Sequence, residues 1–231
     1  MTSVHPTATD RLPFDQHRLE LDQYADIYVA GDVHGCLAAL ERLLETLDLG
    51  ADDLVIFVGD LVRKGPASKA VLERVRSSPQ LLSVRGNNEQ KLLDGDATLP
   101  ALDEADYEYM ASLPVAISWD GGLVVHGGVD PERALSEQTG ADLLTMRAPN
   151  GDGYDGPFWF DDYDGPRRVF FGHTVLDEPL EREWAVGLDT GCVYGGSLSA
   201  YDVRRETVIS VSASGHVSRS DDKIVTITDR K

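Results

Sequence analysis

Residues 27–35 read IYVAGDVHG and residues 54–62 read LVIFVGDLV. Each opens with a short apolar run suited to a strand buried on both faces, and each run breaks at a glycine followed at once by an aspartate. Between them Leu40, Leu43, Leu44 and Leu47 recur at i, i+3, i+4 and i+7, the apolar face of a helix. A second helix over Ser68–Arg76 and a third strand over Leu81–Val84 repeat the strand-helix-strand order, so the first half reads as βαβ units. Two more apolar runs, Leu123–Val125 and Val169–Phe171, read as buried strands. Beyond about residue 114 strands and loops dominate, and Ser197–Val203, Thr207–Val211 and Lys223–Thr228 alternate well enough to be antiparallel strands. The pattern predicts an α/β fold in which two packed mixed β-sheets are flanked by α-helices. It also predicts a polar tail over residues 1–18 and a single domain over 19–231. The stretch Ala148–Pro166, rich in Gly, Asp and aromatic residues and without a period, reads as a surface loop near the site.

The five apolar runs share one feature. Within two or three residues each meets a glycine and a side chain able to bind a metal: AGDVHG, VGDLV, VRGNN, VHGG and FGHT. In open α/β sheets ligands bind at the carboxyl ends of strands, where tight turns and close backbone approach call for glycine. A lone aspartate after a strand is more often a turn former or a helix cap. Five such ends are better explained by one site. The donors are carboxylate, imidazole and amide oxygen, a set suited to divalent ions such as Mn²⁺, Fe or Zn²⁺.

Composition narrows the setting. The 40 Asp and Glu residues against 21 Lys and Arg give a formal net charge of −19. Such a surface repels nucleic acid and anionic membranes, so neither is an expected partner. It also fits a protein adapted to a salt-rich cytoplasm. No run is long enough to span a bilayer, and the N-terminal residues lack the apolar stretch of a signal peptide, so the expected location is cytoplasmic. Cys36 and Cys192 are too few for a disulfide framework and read as reduced thiols near the site, without catalytic duty.

GDVHG at 31–35, GDLVRKGP at 59–66, RGNNE at 85–89, VHGG at 125–128 and FGHT at 171–174 together resemble the calcineurin-like metallophosphoesterases. The late LDTG at 188–191, followed by YGGSLSAYDV, is similar to the branch holding the phosphoprotein phosphatases and the symmetrical diadenosine tetraphosphate hydrolases. The resemblance spans roughly residues 26 to 203 and implies a four-layer sandwich. It implies that Asp32 and His34 bind one metal ion, that Asp60 bridges two, and that Asn87, His126 and His173 bind the other. The two divalent ions, with manganese first and iron or zinc as alternatives, would activate a bridging hydroxide to attack phosphorus. Arg63, Lys64 and Arg147 are the expected phosphate-binding cations, and Asp60, Asn88 and Arg147 the expected catalytic contacts.

The chain departs from the family where phosphoprotein phosphatases read GDxVDRG and GNHE, because it carries Arg63, Lys64 and Asn88 at those places. An amide has no proton to give at neutral pH, so Asn88 can hold a hydrogen bond but cannot act as a general acid. Losing that acid matters most for alkoxide leaving groups and least for phosphoanhydrides and aryl phosphates. The expected activity is therefore metal-dependent hydrolysis of a phosphoester or phosphoanhydride, with dinucleoside polyphosphates ahead of phosphoproteins. The alternative is a degenerate phosphatase that binds metal and a phosphorylated ligand without turnover.

Overall fold

The computed structural model describes residue 13, residues 16–149 and residues 153–227. The strands, in chain order, are β1 (His17–Arg18), β2 (Ile27–Ala30), β3 (Leu54–Phe57), β4 (Leu81–Ser83), β5 (Ile117–Trp119), β6 (Gly122–Val124), β7 (Arg168–Phe171), β8 (Leu180–Glu181), β9 (Ala185–Gly187), β10 (Ser197–Asp202) and β11 (Thr207–Ser212). The helices are α1 (Leu37–Leu47), α2 (Ser68–Arg76), α3 (Asn87–Leu93), α4 (Glu104–Ser112), α5 (Gly140–Thr145) and α6 (Trp159–Asp162). One sheet has the order β11-β10-β2-β3-β4 and the other β1-β5-β6-β7-β9-β8. In the first, β2, β3 and β4 are parallel and β10 and β11 close it as an antiparallel hairpin; in the second, β6, β7 and β9 are parallel.

Side-chain alternation sorts these strands into four layers. Ile27, Val29, Leu54, Ile56 and Val58 point at the opposing sheet and pack with Ile117, Trp119, Val124, Phe170 and Val186. Their neighbours Tyr28, Ala30, Val55 and Phe57 point the other way, against Leu40, Leu43, Leu44 and Leu47 of α1 and Val71, Leu72 and Val75 of α2. The far face of the second sheet buries Val169 and Phe171 under Trp159, Phe160 and Leu143. The mixed two-sheet sandwich expected from the sequence is the fold observed.

Three local expectations are corrected. Lys223–Thr228 is no strand: Asp221–Lys223 forms a 3-10 turn, only Val225 bridges to Leu176, and residue 228 lies outside the described residues. The reason is its neighbour. Val225 bonds to the Val175 carbonyl and the Asp177 amide, in an irregular loop that offers no continuous ladder. Ala148–Pro166 is a loop only in part, since α6 buries Trp159 completely. A helix of four residues is too short to show a period. His17–Arg18, expected in the polar tail, pair in parallel with β5.

The aromatic residues at 107–109 and 158–160 are packing elements. Trp159 and Phe160 are buried, and Tyr107 and Tyr109 lie partly buried against the α1 and α2 core. Among the described residues no helix is long and apolar enough to cross a membrane.

Candidate metal centre

Each apolar run delivers its polar residue to the same place. The chain leaves β2 into Asp32 and His34, β3 into Asp60, β4 into Asn87 at the first turn of α3, β6 into His126 and β7 into His173. These turns are tight. Asp60 with φ 52°, His34 with φ 49° and His173 with φ 64° sit in the left-handed region, as do Arg63 and Lys64. That region costs a residue with a Cβ free energy, and such residues cluster where a site requires them. Two glycines make room. A Cβ on Gly86 would collide with the Asp60 backbone and carboxylate, and one on Gly172 with the Asp32 carboxylate.

Ligand atoms of Asp32, His34 and Asp60 all lie within 4.8 Å of one another, and all three residues are buried. His34 Nε2 is 3.5 Å from Asp60 Oδ2 and 3.7 Å from Asp32 Oδ2. The other Asp60 oxygen is 3.4 Å from His126 Nε2. The Asn87 side-chain oxygen is 2.9 Å from His126 Nε2 and 3.3 Å from His173 Nδ1. Asp60 therefore stands between two donor groups, one with Asp32 and His34, the other with Asn87, His126 and His173. The structure brings all six sequence-predicted ligands together.

The residues fit divalent ions. His34 Nδ1 is 3.1 Å from the Val62 carbonyl and His126 Nδ1 is 2.8 Å from that of Val58, which fixes a proton on each Nδ1 and aims each Nε2 inward, where a metal ion would take the place of any second proton. The Asn87 oxygen faces His126 Nε2, which Asp60 favours in its protonated form; once that nitrogen is unprotonated, the amide can turn so that its NH₂ donates to His126 and Asp60. A cation among the donors satisfies the same groups with the oxygen inward. Lys64 Nζ, which can only donate, already lies 2.6 Å from His34 Nε2, so the set does draw positive charge.

Electrostatics separate the two aspartates. Burial, then Asp189, push Asp32 well above the usual carboxylate range. Burial opposes ionisation of Asp60 too, but His126, His34 and Lys64 outweigh it and hold that carboxyl well below the range. The same contact drives His126 up to about 9 against its burial. Burial, helped by His126 and Arg147, keeps His173 well below its ordinary value.

The expected phosphate-binding residues divide. Arg147 lies beside the site, its Nη2 donating to the His173 carbonyl at 3.2 Å and its guanidinium stacked 4.2 Å over Tyr154. Arg63 instead turns its guanidinium to the Asn88 carbonyl at 2.6 Å. Asn88 is buried, and its amide nitrogen donates to Asp60 and, at 3.3 Å, to Asn87. Both faces of Asn88 are thus engaged inside the protein, where it holds Asp60.

Sequence reasoning passed over Glu89 and Asp189. Glu89 is fully buried, and its carboxyl accepts from the backbone of Gly86 at 2.8 Å, Asp60 at 2.9 Å and Val62 at 3.1 Å, tying two strand ends together. Burial and the charge of Asp60 push it up to about 7. Its signal was the third position of α3, where an acidic residue reaches back to the cap. Asp189, in the LDTG stretch, follows β9 as Asp60 follows β3. Cys36 and Cys192 are both buried, and a hydrogen bond from Cys192 draws the Cys36 thiol below its usual value.

The family model for calcineurin-like phosphoesterases matches residues 25–219. The chain belongs to this family. It is a metal-dependent hydrolase acting on phosphate esters or anhydrides, and its substrates are phosphorylated. A symmetrical bis(5'-nucleosyl)-tetraphosphatase from Burkholderia pseudomallei is 30% identical over 74% of this phosphoesterase and 87% of its own length. A serine/threonine-protein phosphatase 1 from Salmonella typhimurium is 28% identical, covering 79% and 94%. A crystal structure provisionally named a diadenosine tetraphosphatase superposes with a TM-score of 0.77 at 30% identity, covering 86% of this phosphoesterase and 97% of that chain.

Proposed function

We propose that this phosphoesterase cleaves the phosphoanhydride bridge of dinucleoside polyphosphates, with phosphoproteins as the second substrate class. The observation that carries the reading is the Arg63–Asn88 contact at 2.6 Å. The place where a leaving-group acid would stand holds an amide bound on both faces, so the chain supplies no proton there. A departing nucleotide phosphate needs no such proton, whereas the alkoxide from a phosphoserine does. Relatives named as symmetrical tetraphosphatases agree with that preference, and the phosphatase relative keeps the second class open.

Asp32, His34, Asp60, Asn87, His126 and His173 would hold two divalent ions, manganese being the first to test and iron or zinc next. Ions bound there would lower the pKa of a coordinated water and polarise the phosphoryl oxygens. The protein's own part is positional. Glu89 fixes the Asp60 backbone and Asn88 its carboxylate, the Val58 and Val62 carbonyls fix two imidazole tautomers, and Lys64 and Arg147 offer positive charge to phosphate oxygens. The net charge of −19 supports a salt-rich, cytoplasmic setting.

A metal-supplemented hydrolysis screen at high salt, comparing diadenosine tetraphosphate, a phosphopeptide and an aryl phosphate, tests the reading. Turnover should follow leaving-group stability, tetraphosphate and aryl phosphate well ahead of phosphopeptide. Equal turnover of phosphoserine peptide and aryl phosphate would overturn it.

A further inference from the structure

We infer that Arg219, from the segment after β11, is a substrate-binding residue that holds a phosphate beyond the one attacked, so that the site selects a polyphosphate chain over a lone phosphate. The inference rests on the functional reading above and adds to it a residue outside the metal-binding motifs.

Arg219 is held in place from three sides. Its Nε donates to the Lys223 carbonyl at 2.7 Å, its Nη1 to the Tyr194 hydroxyl at 3.0 Å and its Nη2 to the Tyr154 hydroxyl. A guanidinium carries five N–H groups, so one hydrogen remains on each Nη. The guanidinium also stacks on both rings, 4.8 Å from the centre of Tyr194 and 5.1 Å from that of Tyr154.

Those two rings lead back to the metal centre by separate routes. Lys64 Nζ lies 5.2 Å over Tyr194 and touches His34 Nε2. Arg147 lies 4.2 Å over Tyr154 and touches the His173 carbonyl. The result is a closed arch from His34 to His173: Lys64, Tyr194, Arg219, Tyr154, Arg147. Arg219 is its keystone.

The arch gathers like charges, and the carboxylates that act on them, Asp60 and Asp189 on Lys64 and Asp189 on Arg147, do so without forming an ion pair. Among the described residues none of Lys64, Arg147 and Arg219 is ion-paired with a carboxylate; Arg42, Arg63, Arg85 and Arg204 also lack such a pair, but Lys64 and Arg219 share the Tyr194 ring and Arg147 and Arg219 the Tyr154 ring, which gathers these three in one place. In a chain with 40 acidic and 21 basic residues, carboxylates were available to neutralise them. Three neighbouring cations repel, and an anion long enough to touch all three relieves that repulsion through charge-assisted hydrogen bonds. A monophosphate held at the metal centre meets Lys64 and Arg147 first. Arg219 stands one ring further out on either route, where the next phosphates of a chain would lie.

The test uses inorganic tripolyphosphate and orthophosphate as probes, titrated calorimetrically into the full chain at fixed free Mn²⁺. Wild type should bind tripolyphosphate more tightly. Arg219→Gln should weaken tripolyphosphate roughly tenfold and orthophosphate less than about twofold, and Arg219→Lys should recover part of the loss. In kinetics Arg219→Gln should raise KM for diadenosine tetraphosphate by a similar factor while kcat and aryl phosphate hydrolysis hold. Equal weakening of both anions, no weakening of either, or no wild-type preference for tripolyphosphate would overturn the inference. If Arg219→Gln loses its cooperative melting, Tyr154→Phe replaces it, with the same selective loss expected at about threefold. A wild type that hydrolyses aryl phosphate but not diadenosine tetraphosphate defeats the functional reading alone, since tripolyphosphate binding still decides the role of Arg219.

Discussion

The two ends of the β2, β3 and β10 sheet use aspartate in opposite ways. At the end where β2 and β3 begin, Asp53 accepts from the backbone of Asp26 at 2.9 Å and of Gly50 at 2.7 Å. Asp202 there accepts from the backbone of Arg204 and Arg205 at 2.9 and 2.8 Å, and the Arg205 guanidinium pairs with both Asp202 and Asp26. At the far end Asp32 and Asp60 are buried, and their side-chain ion-pair partners among the described residues are imidazoles. The turns there carry positive φ at Asp60 and His34, while Asp26, Asp53 and Asp202 sit in ordinary backbone. Satisfied carboxylates in relaxed backbone serve stability. Asp32 and Asp60 are crowded instead, Asp60 in strained backbone, an arrangement suited to a cation, and that contrast marks the working end more sharply than any single residue does.

The comparison breaks most visibly at Asp60. Asp60→Asn should lower the metal-dependent rate by roughly 10²–10³-fold or more, as removal of a group serving the charged transition state does. Steady-state kinetics on aryl phosphate read this, and a rate within tenfold of wild type would place the chemistry elsewhere. The next effect is thermal. Divalent metal at about 100 times its Kd should stabilise wild type by roughly 2.7 kcal/mol. Asp202→Asn should gain the same amount and Asp60→Asn far less, so a scan with and without Mn²⁺ separates the two ends.

Glu89→Gln should cost roughly 2 kcal/mol at pH 4.5, because an amide cannot serve three backbone donors as a carboxyl does. In metal-free protein that deficit should shrink with rising pH. The folded carboxyl titrates at about 7 against an ordinary 4.5, so the folded state keeps a proton that the unfolded chain has lost, and wild-type stability falls across that window. A deficit constant from pH 4.5 to 8 in denaturant titrations would refute this. Asp202→Asn is the mildest change, about 1 kcal/mol at neutral pH with activity retained. Burial works against ionisation of Asp202, but the Arg205 and Arg204 amides and the Arg205 guanidinium outweigh it and hold the carboxyl below its ordinary 3.8. Its stabilisation is thus present above that pH and fades as pH falls through the lower folded value, so the variant should converge on wild type in acid.

What could be read from the sequence was local and repetitive. The runs at 27–30 and 54–58 declared themselves because both faces of each strand are buried, and Leu40, Leu43, Leu44 and Leu47 because α1 turns a single face inward. Asp32, Asp60 and His173 were visible as polar residues set against glycine at the ends of such runs. Hidden were α4, whose buried residues are only Asp106 and Met110, and the loss of strand character at Lys223–Thr228, which depends on an irregular neighbour far along the chain. Hidden too was the fate of Asn88, whose engagement with Arg63 and Asp60 arises only when β3 and α3 meet. Arg219 had no signal at all, for its partners Tyr154 and Tyr194 lie 65 and 25 residues away.

The donors come from both sides of the sandwich: Asp32, His34, Asp60 and Asn87 follow strands of one sheet, His126 and His173 strands of the other. Two metal ions bound by these donors would be a rivet through the layers. Neither half of the chain would then take up metal with full affinity by itself, and sliding one sheet over the other would first have to rupture coordination bonds. The loaded protein should come apart in one step, and metal uptake during refolding becomes a clock for the moment the layers dock.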